Sequence, residues 1–359
     1  MINEHDTTRR AELQAAVEAL PRVGLAALPT PFEPCPHLSK ALGGPRIWIK
    51  RDDLTGLAAG GNKTRMFEFV LGQAMEEGVD TVVGGAAVQS NYCRQLAAAC
   101  SRLGLECHLV LRKVRGERDR EVQGGLLLDL LVGARVELVE DEGSWESLGA
   151  RIREKGRQLT AAGRRVHVAR VGDESGIGLA AVGYVAATLE LLDQADAAGV
   201  RIDEIWLCST DSTQAGIALA LKHLRSPIRL VGLPALPEPV TSGWTFEECL
   251  SSVANECGSL LGLETTVEPA EITSKVDYVG PGYAVLTEAA REAMLLAGRH
   301  EGVLLDPVYT SKAMAGLIDH VRRGLIPAEG NVVFLHTGGL PALFAYADSL
   351  ALDEALKSG

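Results

Sequence analysis

Short apolar runs alternate with longer stretches of helical spacing along most of the chain. Ile47-Trp48-Ile49 reads as a strand that ends in Lys50-Arg51-Asp52-Asp53, and residues 64–75 carry the i, i+3, i+4 spacing of a helix. The alternation continues with strand 81–84, an Ala-rich helix 89–103, strand 107–111, helix 119–131 and strand 135–139. Helix 144–160, strand 165–169, helix 177–192, strand 205–208, helix 213–224 and strand 229–233 follow. Strand 331–335 and helix 340–355 close the series. The Val, Ile and Leu runs show no in/out alternation, as expected of strands buried on both faces. With the strand–helix order, they predict an α/β fold: open, twisted, mainly parallel sheet with helices on both faces. In such sheets ligands bind at the carboxyl ends of strands, where helix N-termini face the crevice. Those loops are where chemistry is to be sought.

The 359 residues exceed the usual size of one domain, so two lobes are expected. The Pro-rich stretch 234–239 is too short to link independent modules. A net charge of −12 argues against nucleic acid, whose phosphates demand a basic face, and against an anionic membrane surface. The longest candidate apolar run, 126–132, is interrupted by Asp129, and the first six residues are polar and mixed in charge, with no secretory pattern. The seven cysteines, at 35, 93, 100, 107, 208, 249 and 257, form neither a CxxC pair nor a Cys/His cluster. They are expected to be reduced structural thiols in a cytoplasmic protein, and no metal site is expected.

Four loops deserve weighing. Gly56–Arg65, GLAAGGNKTR, puts Lys63 at a helix N-terminus, where the dipole disfavours a cation. Such an amine can form a Schiff base with a carbonyl cofactor, although the loop alone reads more simply as a solvated lysine on a glycine turn. Gly84–Arg94 sets Ser90 and Asn91 at a helix start, a grouping suited to a carboxylate and equally to a plain cap. Cys208–Gly216, CSTDSTQAG, offers hydroxyls and free amides to a small phosphate but lacks the nucleotide P-loop and dinucleotide patterns; Asp211 opposes an anion there. Finally, Asp306–Met314 and His336–Tyr346 offer Tyr309 as a flat surface for a heteroaromatic ring, with Tyr283 on another loop. Loop tyrosines are easy to single out in a chain only 4% aromatic, but a lone Tyr is more often a core filler. His336, following a buried strand, reads as structural.

The segments IKRDDLTGLAAGGNK, VQSNYCRQ, STQAG, PGYA, GVLLDPVYTSKAMAGLID and HTGGLPALFAY, in this order over residues 28–346, resemble the D-cysteine desulfhydrase and aminocyclopropane-carboxylate deaminase family. These are pyridoxal 5'-phosphate (PLP) enzymes of fold type II. The resemblance implies two lobes, a large one of residues 1–60 and 165–359 and a small one of 61–164, with PLP in the cleft. It makes Lys63 the residue that bonds the cofactor and moves the Cα proton. Asn91 would meet the cofactor's phenolic oxygen, and Ser209, Thr210, Asp211, Ser212 and Thr213 would form the phosphate loop. Tyr309 would stack on the ring, Tyr283 would lie near the reacting carbon, and Thr310 would face the pyridine nitrogen. Ser90, with Asn91 and Tyr92, would hold the substrate carboxylate, and Thr337 and Gly338 would line the substrate pocket. A homodimer acting on a small amino acid is implied as well.

Thr310 narrows the chemistry. Deaminases that open a cyclopropane ring have Glu at that place and Leu at the position of Thr337. A neutral Thr gives a weaker electron sink, adequate when a good β-leaving group departs early. The expectation is β-elimination to pyruvate and ammonia, with D-cysteine first among substrates. L-Cysteate or D-serine, ring opening, and a degenerate binding protein remain the alternatives. Four departures from the family pattern are notable: Met66 where Lys is usual, Asp211 where Gly is usual, Tyr92 where His is common, and Asp173-Glu174 in place of a glycine-serine run. The first two remove one positive and add one negative charge near a dianion. A unit charge at about 6 Å is worth roughly 3 kcal/mol before screening, at an effective dielectric of about 20.

Overall fold

The computed structural model describes residues 4–140, 144–169 and 177–352. Asp173 and Glu174 lie outside the described residues. Strands β1 (Phe32–Pro34), β2 (Arg46–Lys50), β3 (Thr81–Ala87), β4 (Glu106–Arg112) and β5 (Arg135–Val139) are followed by β6 (Val166–Val168), β7 (Glu204–Cys208), β8 (Arg229–Leu233) and β9 (Asn331–Leu335). The helices are α1 (Glu4–Glu18), α2 (Pro36–Leu42), α3 (Lys63–Glu76), α4 (Asn91–Leu103), α5 (Gly124–Leu131) and α6 (Trp145–Ala161), then α7 (Ile177–Ala197), α8 (Ser212–His223), α9 (Phe246–Leu260), α10 (Glu288–Glu301), α11 (Thr310–Arg322) and α12 (Leu340–Phe344).

Two sheets form. One has the order β1-β2-β9-β7-β8 and is parallel except for the edge pair β1 and β2; the other, β5-β4-β3-β6, is parallel throughout. All five residues of the inner strand β7 are buried, whereas the edge strand β5 is buried nowhere along its length. Burial on both faces thus holds for β7 and fails for β5, while the edge strand β8 is buried over its last three residues. The carboxyl ends of β2, β3, β7, β8 and β9 lead directly into the segments carrying Lys63, Ser90, Ser209, Leu236 and Thr337. This is the parallel-sheet rule at work.

Helix α7 packs between α3, α8 and α9 at the centre of one of the two largest apolar clusters. Among the described residues it is the one helix long and apolar enough to cross a membrane, and 72% of its most apolar window is buried inside this fold. It is a longer apolar stretch than the run broken by Asp129.

Two expected helices are shortened for identifiable reasons. The one expected at 119–131 begins only at Gly124, because the Asp119 carboxylate accepts from the backbone N–H of Val114 (2.8 Å) and Arg115 (2.9 Å) and holds a 3₁₀ turn instead. The one expected at 340–355 stops at Phe344. Arg115 donates to the Ala345 carbonyl (2.6 Å) and lies over the Tyr346 ring, whose hydroxyl donates to the Ala284 carbonyl. Helices α9, α10 and α11 were not marked by the alternation. In α11 all but two residues are buried, polar ones such as Thr310, Ser311 and Lys312 among them.

Candidate active site

Lys63 is presented by a turn that only glycine can make. Gly60 and Gly61 have φ of +68° and +132°. A Cβ on Gly60 would lie 1.9 Å from the Asp53 carbonyl oxygen, and one on Gly61 would lie 2.4 Å from the Gln95 amide nitrogen. Thr55 locks the turn, donating its hydroxyl to the Gly61 carbonyl and accepting from the Gly61 N–H. Asn62 then donates to the Thr213 hydroxyl (2.9 Å), tying the start of α3 to the first turn of α8.

Ser90 caps α4, its hydroxyl accepting from the N–H of Tyr92 (3.2 Å) and Cys93 (3.5 Å). The buried Arg94 donates to Asn91 Oδ1 (3.0 Å) and to the Gly60 carbonyl (3.0 Å), and also to the Ala58 carbonyl. With its oxygen occupied, Asn91 is oriented so that its amide N–H₂ remains as the donor. Gln95 completes the junction: it donates to the Asn91 carbonyl and accepts from the N–H and hydroxyl of Thr64. The first turns of α3 and α4 are therefore one hydrogen-bonded unit.

These elements enclose a cavity of about 1120 Å³, open mouth included. Lys63, Ser90, Asn91, Tyr92, Ser209, Thr210, Thr213, Tyr283, Tyr309 and Thr337 line it. Tyr283 and Tyr309 share a hydrogen bond between their hydroxyls, ring centroids 6.0 Å apart. Burial pushes both phenols above their ordinary value, so both stay protonated at neutral pH. The Cys208 thiol also lines the cavity, and burial, reinforced by the Asp306 carboxylate, keeps it protonated too. Six of the seven cysteines are buried, Cys249 partly so, and none is in a disulfide.

Asp211, Ser212, Thr310 and Gly338 fall outside the lining. Thr310 is wholly buried; its hydroxyl donates to Asp306 Oδ1 (2.7 Å) and accepts from the Asp306 N–H (2.8 Å), so it serves the start of α11 rather than facing the cavity. Gly338 packs against the Gly60-Gly61 turn, where a Cβ would lie 2.7 Å from the Gly61 Cα. His336 is structural: its Nε2 donates to the Leu304 carbonyl and its Nδ1 accepts from the Gly338 N–H.

Asp211 is the N-cap of α8. Its Oδ1 accepts from the Ser212 N–H (2.6 Å) and hydroxyl (2.9 Å) and lies 3.7 Å from Lys63 Nζ. Met66 accepts from the Ser212 hydroxyl at 3.4 Å, so both charge-altering departures from the family pattern meet at one turn.

Residues 23–338 match the family described as pyridoxal-phosphate dependent enzyme. The chain belongs to that family. The D-cysteine desulfhydrase of Salmonella typhi is 38% identical over 328 residues, covering 91% of this chain and 96% of that protein. A crystal structure described as an ACC deaminase homologue superposes with a TM-score of 0.83 at 34% identity, covering 94% of this chain and 98% of that one. The apo diaminopropionate ammonia lyase of Escherichia coli, TM-score 0.64 at 15% identity over 97% and 91% of the two chains, shares the fold. The chain has the fold type II architecture of pyridoxal-phosphate enzymes.

The cavity suits PLP. It holds one lysine, an aromatic face at Tyr309 and, at the start of α8, the hydroxyls of Ser209, Thr210 and Thr213. The Asp211 carboxylate already caps the Ser212 amide at the helix start an incoming phosphate would use. Asp211→Gly should tighten PLP binding about tenfold, by removing a like charge that is partly screened. Glycine is itself a tolerated N-cap, so the helix should lose only a few tenths of a kcal/mol. Equilibrium dialysis against PLP reads the change; an unchanged or weaker affinity would show that the carboxylate is neutral toward the phosphate.

Several lining residues carry no motif. Leu236, Val240 and above all Trp145 were not singled out from the sequence. Trp145 follows the N-cap Ser144, and its ring meets Tyr283 edge-on (centroids 5.4 Å apart, 87°). A rare Trp at a helix start was the available signal.

Proposed function

We propose that this PLP enzyme is a lyase that removes the β-substituent of a small amino acid, with D-cysteine yielding pyruvate, ammonia and sulfide. The observation that carries the reading is the convergence of Lys63, the Ser90–Asn91 helix start and the paired Tyr283 and Tyr309 hydroxyls on one cavity. Similarity to a D-cysteine desulfhydrase across nearly its whole length supports it. When bound, PLP supplies an electron sink for charge developing at the substrate α-carbon.

Lys63 would hold the cofactor covalently and carry the α-proton on Nζ. The oriented Asn91 amide would donate to the cofactor's phenolic oxygen. Ser90 and the first N–H groups of α4 would bind the substrate carboxylate, favoured by the helix dipole. Ser209, Thr210 and Thr213 would take the phosphate, and Tyr309 would cover the ring. The protonated tyrosine pair would serve as a proton store for the reaction. Position 310 carries a hydroxyl, engaged by Asp306, and no carboxylate, so nothing there would hold a proton on the pyridine nitrogen, which disfavours ring opening. The proposal includes a homodimer and a cytoplasmic location, the former checked by light scattering.

Holoenzyme incubated with D-cysteine should release pyruvate, sulfide and ammonia in equal amounts. Absence of pyruvate from both D- and L-cysteine, or faster formation of α-ketobutyrate from aminocyclopropane carboxylate, would overturn the assignment.

A further inference from the structure

The part of the cavity not claimed by the cofactor groups is apolar, and opposite lobes build it. Trp145, Leu148 and Ile152 project from one face of α6, at i, i+3 and i+7. Leu236 and Val240 face them from the connection after β8. Trp145 is held from two sides, edge-on to Tyr283 and with the Arg112 guanidinium carbon 4.7 Å from its ring centroid. Arg112 itself does not line the cavity. Among the described lining residues Lys63 alone bears a formal charge, and the reading above commits it to the cofactor.

We propose that this wall receives the β-substituent, and that the preferred substrates are cysteine S-conjugates, whose sulfur bears an alkyl or aryl group. The inference rests on the lyase reading and specifies its substrate class. A sulfonate or carboxylate at the β-position would be desolvated against Trp145, Leu236 and Val240 with no counter-charge, which excludes cysteate as the preferred substrate. A bare thiol or hydroxyl would leave most of the wall wet. An alkyl group removes apolar surface from water on both sides, worth about fourfold in binding per methylene. The reaction balances without an oxidant: the C–S bond breaks with its electron pair going to sulfur. S-conjugate and water give thiol, pyruvate and ammonium.

The test uses holoenzyme with D- and L-cysteine and the S-methyl, S-ethyl, S-propyl and S-phenyl conjugates of both, plus cysteate, following pyruvate and thiol release. The kcat/KM should rise about fourfold per methylene in one enantiomeric series. Trp145→Ala should lower the phenyl-to-methyl ratio about tenfold. Values that are flat or falling with chain length, or preferred turnover of cysteate, would overturn the inference. Calorimetric affinities for α-methyl-S-alkylcysteines, which have no α-proton to lose, measure the wall without turnover. If no substrate yields pyruvate while these affinities still rise with chain length, the lyase reading fails and the apolar pocket stands. If turnover occurs while affinities do not rise, the pocket inference alone fails.

Discussion

Lys63→Ala will give a folded protein that binds PLP without covalent attachment and loses on the order of 10⁴-fold or more in kcat/KM. Removing a residue that is both covalent anchor and proton carrier strikes two roles at once, and groups acting as a unit lose most of their effect together. The fold should survive. Lys63 sits at the first position of α3, where alanine is an excellent helix former, and its ammonium is not part of the buried charge network around Arg65. The neighbouring anchors, Asn62 to Thr213 and Gln95 to Thr64, do not involve its side chain. Far-ultraviolet circular dichroism checks the fold. Borohydride reduction followed by peptide mass analysis checks the bond: in the wild type the cofactor mass should be fixed on the peptide containing Lys63, and in the variant on none. Retained activity in Lys63→Ala, or cofactor fixed elsewhere, would reject the site.

What the sequence disclosed depended on whether one residue or a constellation carried the message. Strand spacing placed β5, β8 and β9 correctly because each is a short run with a turn on either side. Lys63, Ser90 and Asn91 were legible because they sit on glycine turns and helix starts, where local chemistry and position coincide. Thr310 does not join Tyr309 in the cavity lining, because adjacency in the chain does not make a side chain face the same way; Asp306, four residues back, captures its hydroxyl. Trp145 was invisible for the opposite reason. Its meaning lies in Tyr283, more than a hundred residues away, and no local pattern encodes that meeting. The consequence of Asp211 also needed coordinates: the sequence showed a carboxylate in an anion loop, and the structure shows it spent as a helix cap.

Asp52→Ala should destabilise the protein by about 3–5 kcal/mol, the usual cost of removing one partner from a buried ionic group. Asp52 is fully buried and accepts from Arg65 Nε (2.9 Å) and Nη2 (3.0 Å), the Tyr184 hydroxyl (2.6 Å) and the Thr30 hydroxyl (2.7 Å). Arg65 reaches on to Glu190, which also accepts from Lys50, so β2, α3 and α7 meet in one charged knot. Without Asp52, Arg65 keeps Glu190 but loses two acceptors, and Tyr184 is left buried with an unmade hydrogen bond. Because Arg65 lies two residues beyond Lys63, the variant should also bind PLP more weakly, whereas Asp52→Asn, retaining shape and some hydrogen bonds, should fall between. Urea denaturation measures the difference. Its pH dependence identifies the cause. Burial alone would raise the Asp52 carboxyl, but the charge and hydrogen bonds of Arg65, then Tyr184 and Lys50, hold it below its ordinary 3.8. A depressed carboxyl contributes stability in full above its unfolded value and loses it as pH falls through the folded one. The gap between wild type and Asp52→Ala should therefore be constant at neutral pH and shrink only below about pH 4. A gap under about 1 kcal/mol at pH 7, or one closing already between pH 5 and pH 7, would show that packing rather than this charge pairing holds α3 in place.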